Sequence, residues 1–395
     1  MTVEQTRLGK YFNSRREKGI EGLQTLSVTL DRGLVRRDSL ERRTETNLEP
    51  TDHLRVRPGD IAYNMMRMWQ GASGLSTEDA IVSPAYVVLQ PKPNTDPLFA
   101  SYLLKHPHMV HLLWAYSYGL TSDRLRLYFN DFKRIPWELP PLPEQKKIAE
   151  ILMTWDKAIE TTEKLLANAE AQKKALMQQL LTGKRRLKGF EGEWRRLKLG
   201  DLCDGNLQTG PFGSQLHANE YITDLDGVAV VMPNAMIDET INYSRCSKVS
   251  KQKASLLARH KLKAGDLVFS RRGDVGRTAL YRKGDPHAIC GTGCLRARLT
   301  AEVDTEFLAQ VLSLPTTSKW LEKNAVGQTM PNLNTSIVSN LPLEIPALAE
   351  QRHIAQILCT ADRIQNNYRR DLTRKLDEKR ALLQQLLTGK RRVNV

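Results

Sequence analysis

Cysteine is scarce here: five in 395 residues, an odd number, with none before Cys203. That speaks against a disulfide framework, and Cys203, Cys246, Cys290, Cys294 and Cys359 read as the thiols of a reduced, cytosolic protein. Cys290 and Cys294 are spaced CxxxC, but no second Cys/His pair stands nearby, so no metal is expected. No apolar run approaches the ~18 residues that would announce a membrane span. The leading MTVEQTRLGK lacks the apolar centre of a secretory signal. Motifs of catalysis are missing too. Gly-Lys occurs at Gly9, Gly183 and Gly389 but never inside GxxxxGK[ST], so there is no phosphate-cradling loop. The one Pro-Pro pair, Pro140-Pro141, does not sit in an NPPY-type methyltransferase motif. PEQK at 143–146 superficially suits a nuclease ExK, but it lacks a partner acid. No catalytic residue is expected in this chain.

Negative charge is the other shortfall. The net charge is +15, and residues 144–190 (10 basic, 6 acidic) and 348–395 (11 basic, 5 acidic) carry +10 of it. An excess of this size favours a polyanion through phosphate contacts and counterion release. The bland alternative is a solvated helix face rich in Lys and Arg.

These two basic stretches are copies of each other. QQLLTGKRR occupies 178–186 and again 384–392, an offset of 206. The same offset carries Pro136 onto Pro342, Glu144-Gln145 onto Glu350-Gln351, and VRPGDIAYN at 56–64 onto LKAGDLVFS at 262–270. The PEQK at 143–146 becomes AEQR in its copy, losing the Lys. The chain therefore reads as two copies of a unit of about 200 residues, giving a pseudo-two-fold molecule. A basic, pseudo-two-fold molecule suits a partner that is negative and nearly two-fold, and duplex DNA fits.

Residues 144–181 contain neither Pro nor Gly. Ile148, Leu152, Trp155, Ile159, Thr162, Leu166, Ala169, Lys173, Leu176 and Leu180 recur at alternating steps of four and three, a heptad seam. The second copy places Ile354, Leu358, Ala361, Gln365, Tyr368, Leu372, Lys375, Lys379, Leu382 and Leu386 at the same slots, with a more polar middle. Lys173 and Lys379 interrupt both seams at one slot, which would help fix register. Prolines before the helices and Gly183 and Gly389 after them mark the ends. The KRR runs just beyond either favour the helix dipole or contact phosphates. Each helix of about 38 residues would be roughly 55–60 Å long. The simplest cover for one seam is the other, packed antiparallel. The fold class expected is α+β, with two mixed α/β heads (1–140 and 191–346) separated by two long antiparallel coiled-coil helices (141–190 and 347–395).

In the heads, 81–90 and 226–232 are strand-like, while 97–116 and 305–323 are helix-like. Head two carries about 15 extra residues before Gly265-Asp266, because Leu8-Gly9 aligns with Leu199-Gly200 at an offset of only 191. A shared framework with divergent loops is what two readers of different targets would look like, although drift after duplication has the same appearance. The candidate reading loops are polar and glycine-containing. In head two they are TGPFGSQLH at 209–217 (Thr209, Gly210, Phe212, Ser214, Gln215) and SRRGDVGR at 270–277 (Arg271, Arg272, Arg277). In head one the counterpart is NMMRMWQG at 64–71, with Arg67 and Gln70. Near the heads' ends lie GLTSDRLR at 119–126 (Arg124, Arg126) and VGQTMPNLN at 326–334 (Gln328, Asn332). Arginines on such loops can grip guanine edges bidentately or clamp phosphates. A plain surface role is the competing reading for each.

With its repeats, PLPEQKKIAEIL at 141–152, QQLLTGKRRLKGFEGEWRRLKLGDL at 178–202 and LPLEIPALAEQRHIAQIL at 341–358, the whole chain resembles the DNA-specificity subunit of type I restriction–modification systems. The resemblance implies two target-recognition domains, each reading one half of an asymmetric bipartite site, and conserved helices that set the unread spacer. It implies docking of two modification subunits, which bind S-adenosylmethionine, and of restriction subunits, which use ATP and Mg. This chain itself would bind no cofactor. By resemblance the recognition loops are 209–217 and 270–277. Head one lacks both a TGPFGS-like loop and the RRGDVG stretch, so its target should differ. The rival readings are a coiled-coil adaptor that ignores DNA, a decayed specificity subunit, and a self-contained nuclease or methyltransferase.

Overall fold

A computed structural model describes residues 6–40, 48–121, 123–224, 226–327 and 331–394. The chain divides into two compact units. Unit 1 joins the segment that ends at Glu163 to the segment that starts at Arg370, and unit 2 is Lys164–Arg369. Each unit therefore contains one mixed head and stretches of both long helices.

In unit 1 the elements run β1 (Phe12–Arg15), β2 (Gln24–Thr29), β3 (Gly33–Arg36), β4 (Leu54–Val56), β5 (Ile61–Asn64), β6 (Ser73–Leu75), β7 (Ala80–Val82) and β8 (Tyr86–Pro91). Then come α1 (Pro97–Leu103), α2 (Pro107–Ala115), α3 (Phe129–Phe132) and the start of α4 (Leu142–Leu180). The strands form two sheets, β1-β8-β5-β6, all antiparallel, and β3-β2-β7-β4, with β2 and β7 parallel.

Unit 2 follows the same plan. Its elements are β9 (Arg195–Lys198), β10 (Leu207–Thr209), β11 (Tyr221–Ile222), β12 (Val228–Val231), β13 (Met236–Ile237), β14 (Thr240–Ile241) and β15 (Ser247–Val249). They continue as α5 (Lys251–Leu256), β16 (Leu267–Ser270), β17 (Thr278–Leu280), β18 (Ala288–Cys290), β19 (Cys294–Ala297), α6 (Thr305–Leu312), α7 (Pro315–Asn324), α8 (Thr335–Ser339), β20 (Pro342–Ile345) and α9 (Leu348–Leu386). The four-stranded sheets are β10-β19-β16-β17 and β11-β15-β12-β18, again with one parallel pair, β12–β18, and two-stranded pairs join β13 to β14 and β20 to β9. Most of the extra length of head two falls between β10 and β12, where residues 210–227 stand in for 16–23 of unit 1.

Strand periodicity explains the layering. Side chains alternate across a strand, so β5 sends Ile61 and Tyr63 into the core shared with the helices and Ala62 into the core between the two sheets. Its copy β16 does the same with Leu267 and Phe269 on one face and Val268 on the other. Each strand leaves a turn held by glycine at positive φ (Gly59 +89°, Gly265 +93°) and by a buried aspartate. Asp60 accepts from the Arg57 amide at 2.9 Å and Asp266 from the Lys263 amide at 2.7 Å. Arg15 and Arg298 fork onto these carboxylates.

The helix-like stretches 97–116 and 305–323 are each two helices, because Pro107 and Pro315 lack the N–H that would continue the first. The strand-like 81–90 breaks at Ser83-Pro84-Ala85 into β7 and β8, with the Tyr86 amide closing the turn on Ser83.

The long helices are 39 residues each. No residue of either predicted seam is exposed. The seam ends merge with the head cores: Ile148, Leu152 and Leu386 belong to that of unit 1, Leu180, Ile354 and Leu358 to that of unit 2. The contacts within each unit make the helices antiparallel. In unit 1, Glu144 receives a bidentate pair from Arg392 (2.7 and 2.6 Å), Asp156 pairs with Lys379, and the Lys375 ammonium donates to Thr162 at 2.7 Å. In unit 2, Glu350 receives Arg186 (2.8 and 2.7 Å), Asp362 receives Lys173 at 2.6 Å, and the Gln365 amide donates to the Ala169 carbonyl at 3.2 Å. The pairs Glu144–Arg392 and Asp156–Lys379 of unit 1 are thus the 206-offset copies of Glu350–Arg186 and Asp362–Lys173 of unit 2. The repeated glutamine beside each Glu anchors helix to head. Gln145 accepts from the Asp96 amide and donates to the Pro140 carbonyl, and Gln351 does the same with Asp304 and Pro346.

Candidate nucleic-acid interface

Antiparallel register gathers the candidate loops of unit 2 at one end of a sheet. β10 ends at Thr209 opposite Leu295 near the start of β19, and β16 ends at Ser270 opposite Cys294. Near that same end β17 begins, at Thr278 opposite Phe269. The loops 210–217, 271–277 and 291–293 therefore emerge together. A fourth segment joins them: Val326 and Asn332 form a closed bridge, the Leu333 amide donates to the Arg271 carbonyl at 2.9 Å, and Arg272 bridges Asn332.

Within this edge Thr209 is half-buried and Gly210 is buried, its amide donating to the Cys294 carbonyl. A Cβ on Gly210 would lie 1.8 Å from the Gly291 carbonyl oxygen, so only glycine lets the two loops approach. Phe212, Ser214 and Gln215 are exposed, and the side-chain Oε1 of Gln215 accepts from the Phe212 amide at 3.1 Å. Arg271 is half-buried and donates through Nε to Asn332 at 3.2 Å. Arg272 is exposed beside it. Neither arginine has an ion-pair partner among the described residues. Burial first, and then the adjacent Arg272 guanidinium, pull the Arg271 pKa down. Both causes penalise an uncompensated cation, and an incoming anion would relieve them. Arg277 differs: Asp274 holds it at 2.6 Å. Gln328 lies outside the described residues.

Unit 1 builds the equivalent edge from different side chains. β5 ends at Asn64 opposite Tyr86, and β6 begins at Ser73 opposite Tyr63, so loop 65–72 emerges where β8 starts. Arg67 and Gln70 are exposed on it. The offset of 206 carries Met65 onto Arg271 and Leu127 onto Leu333, and here too the Leu127 amide donates to the Met65 carbonyl, at 3.0 Å. That bond ties down a flap, 118–126, which carries exposed Arg124 and Arg126. Arg67, Arg124 and Arg126 form no ion pair among the described residues. Each unit thus presents one edge with cations that the fold itself does not neutralise, on one framework with unlike side chains.

The sequence matches the family model of the type I restriction modification DNA specificity domain twice, over residues 51–171 and 191–376. The chain belongs to this DNA-specificity family. Among its relatives is the MjaVIII type I restriction enzyme specificity subunit of Methanocaldococcus jannaschii, 26% identical over 348 residues, covering 84% of this chain and 79% of the relative. A putative MjaX specificity subunit of the same organism is 26% identical over 322 residues, covering 78% and 71%. The fold is that of the type I system S subunit from M. genitalium, with a TM-score of 0.61 at 16% identity over 98% of this chain and 97% of that one. A chain from a structure of a type I R-M system gives 0.54 at 18% identity, covering 97% of both.

A specificity subunit needs positioning as well as reading groups, and the sequence left some of both unseen. The third residue of each KRR run, Arg186 and Arg392, is held by a buried glutamate at the start of the opposite helix rather than left free for phosphate. The loop 291–293 and Tyr118 lie outside the loops legible in the sequence because their place at the edge comes from strand register, and within 119–126 the sequence points to the arginines and not to exposed Leu120. The offset of 206 carries Met65 onto Arg271, and that was the available signal.

Proposed function

We propose that each unit of this specificity subunit reads one half of a bipartite DNA site through the edge just described. The observation that carries this is the pair of edges: equivalent in register and anchoring, free of neutralising carboxylates at their key arginines, and different in side chains. Most contacts would go to phosphate and set the position, and a few side chains would read base edges in the major groove. The two long helices would set the number of unread base pairs between the half-sites. This chain would scaffold two modification subunits and the restriction subunits, with S-adenosylmethionine, ATP and Mg bound by those partners and no cofactor by this chain. The adenine to be methylated would be flipped out by the modification subunit. Five free thiols are in keeping with a cytosolic complex. No helix among the described residues is long and apolar enough to cross a membrane.

The deciding experiment is methylome sequencing of a methylation-free host that carries this chain with its modification subunit, against a host with the modification subunit alone. A new bipartite adenine motif that depends on this chain is the expected result. No new methylation from a complex shown to be intact would overturn the proposal.

A further inference from the structure

The flap of unit 1 carries a side chain that the reading of the edge leaves unused. Leu120 is fully exposed, at 102% of its reference area, more than any other large apolar residue described. Its flanks are hydrogen-bonded. Tyr118 and Arg126 exchange two backbone hydrogen bonds of 3.1 and 2.9 Å, and the Arg124 amide closes a turn on the Thr121 carbonyl at 3.0 Å. At Gly119 a Cβ would lie 2.3 Å from the Arg124 carbonyl oxygen, so only glycine lets these two flanks approach. The Tyr118 and Tyr128 rings lie 5.9 Å apart beside it. Its base is pinned by the bond from Leu127 to Met65.

A single exposed leucine needs no explanation. This one stands between the hydrogen-bonded Tyr118 and Arg126 and is followed by Arg124 and Arg126, which no carboxylate neutralises among the described residues. An apolar protein partner would leave those two charges stranded, whereas a polyanion would use them. The pattern also recurs. The edge of unit 2 presents Phe212 at 58% and Val326 at 63% exposure, and the loop beside the unit 1 flap presents Met66.

We propose that Leu120 is a wedge that inserts between two stacked bases of the half-site read by unit 1, with Arg124 and Arg126 gripping the flanking phosphates. Unstacking one step costs a few kcal/mol, and the wider contact made with the deformed duplex repays it. The step that opens most cheaply is a flexible pyrimidine–purine step, so the wedge adds sequence preference without touching a hydrogen-bonding edge. This rests on the edge being the DNA-reading surface.

The test uses the full chain assembled with its modification subunit and a duplex bearing the site mapped by methylome sequencing. 2-Aminopurine is placed in turn at every position of both half-sites except the methylated adenines, since flipping of those bases brightens the probe by itself. Wild type should brighten the probe at one step of one half-site. Leu120→Ala should abolish that signal and weaken binding roughly tenfold, Leu120→Met should restore both, and Leu376→Ala, at an exposed leucine of the long helix α9, should change neither. Site-specific binding with no brightened step in wild type, or brightening that survives Leu120→Ala, overturns the wedge and leaves the reading of the edge intact. Loss of assembly with the modification subunit in Leu120→Ala, at unchanged brightening, assigns Leu120 to that partner instead. Absence of site-specific binding by wild type removes the reading itself.

Discussion

Arg271 shows how much of a side chain's role is set by what the fold withholds from it. Arg277, six residues on, is satisfied by Asp274, and Arg298 is satisfied by Asp266. Arg271 has only a neutral amide on Nε and a like charge next door, so its guanidinium remains in deficit of an anion. Replacing it by Ala removes no ion pair and little packing, and the folded chain should melt within about 1 kcal/mol of wild type. Binding to the cognate duplex, measured at fixed salt, should weaken by about 1–3 kcal/mol, with relaxed base preference in one half-site only. A uniform loss across all sequences would instead assign Arg271 to phosphate. At this scale the sequence was informative about residue type and silent about pairing. Three arginines lie within SRRGDVGR, and nothing in the string says that Asp274 would take Arg277 and leave the other two free.

The two long helices are where the sequence was most readable. Periodicity 3.5, the absence of Pro and Gly across 144–181, and the repeat itself point to both helices, and no residue of either seam is exposed. What periodicity could not supply was the partner of each charge. The KRR runs looked like one feature, whereas packing splits them: Arg186 is clamped on a buried Glu350, while Lys184 and Arg185 stay exposed. Arg186→Met should therefore lower stability clearly in denaturant unfolding, since it leaves the buried Glu350 carboxylate unpaired, and adding Glu350→Gln should recover most of that loss. Arg185→Met should stay within about 0.5 kcal/mol. Equal effects of Arg185→Met and Arg186→Met would refute this division. Lys173 and Lys379, read as register devices because they interrupt both seams, do find carboxylates at equivalent places, Asp362 and Asp156.

On the scale of the whole molecule, duplication makes the helices common property. Each unit closes only when the start of one helix meets the end of the other, so a change in helix length made in one copy alone would break register in both seams. Made in both copies, it preserves them. Inserting a four-residue turn near Ala167 and another near Asp371 adds about 6 Å to each helix. Methylome sequencing should then show a longer unread spacer between unchanged half-sites. Altered half-sites with the original spacer would rule out the helices as the device that sets spacing.

Architecture followed from the sequence alone because its signals are local or periodic: an offset of 206, a heptad seam, a glycine–aspartate turn ahead of each inner strand, prolines at helix starts. Such features need only neighbours along the chain, and family membership follows from them. The composition of each reading edge did not follow. It depends on antiparallel register between strands far apart in sequence, which sets the ends of β10, β16 and β19 side by side and lays the flap across Met65. It depends equally on which carboxylates those folds bring to which arginines. Long-range register and charge pairing are products of tertiary packing, and they decide which of fifty-nine cations are left for DNA.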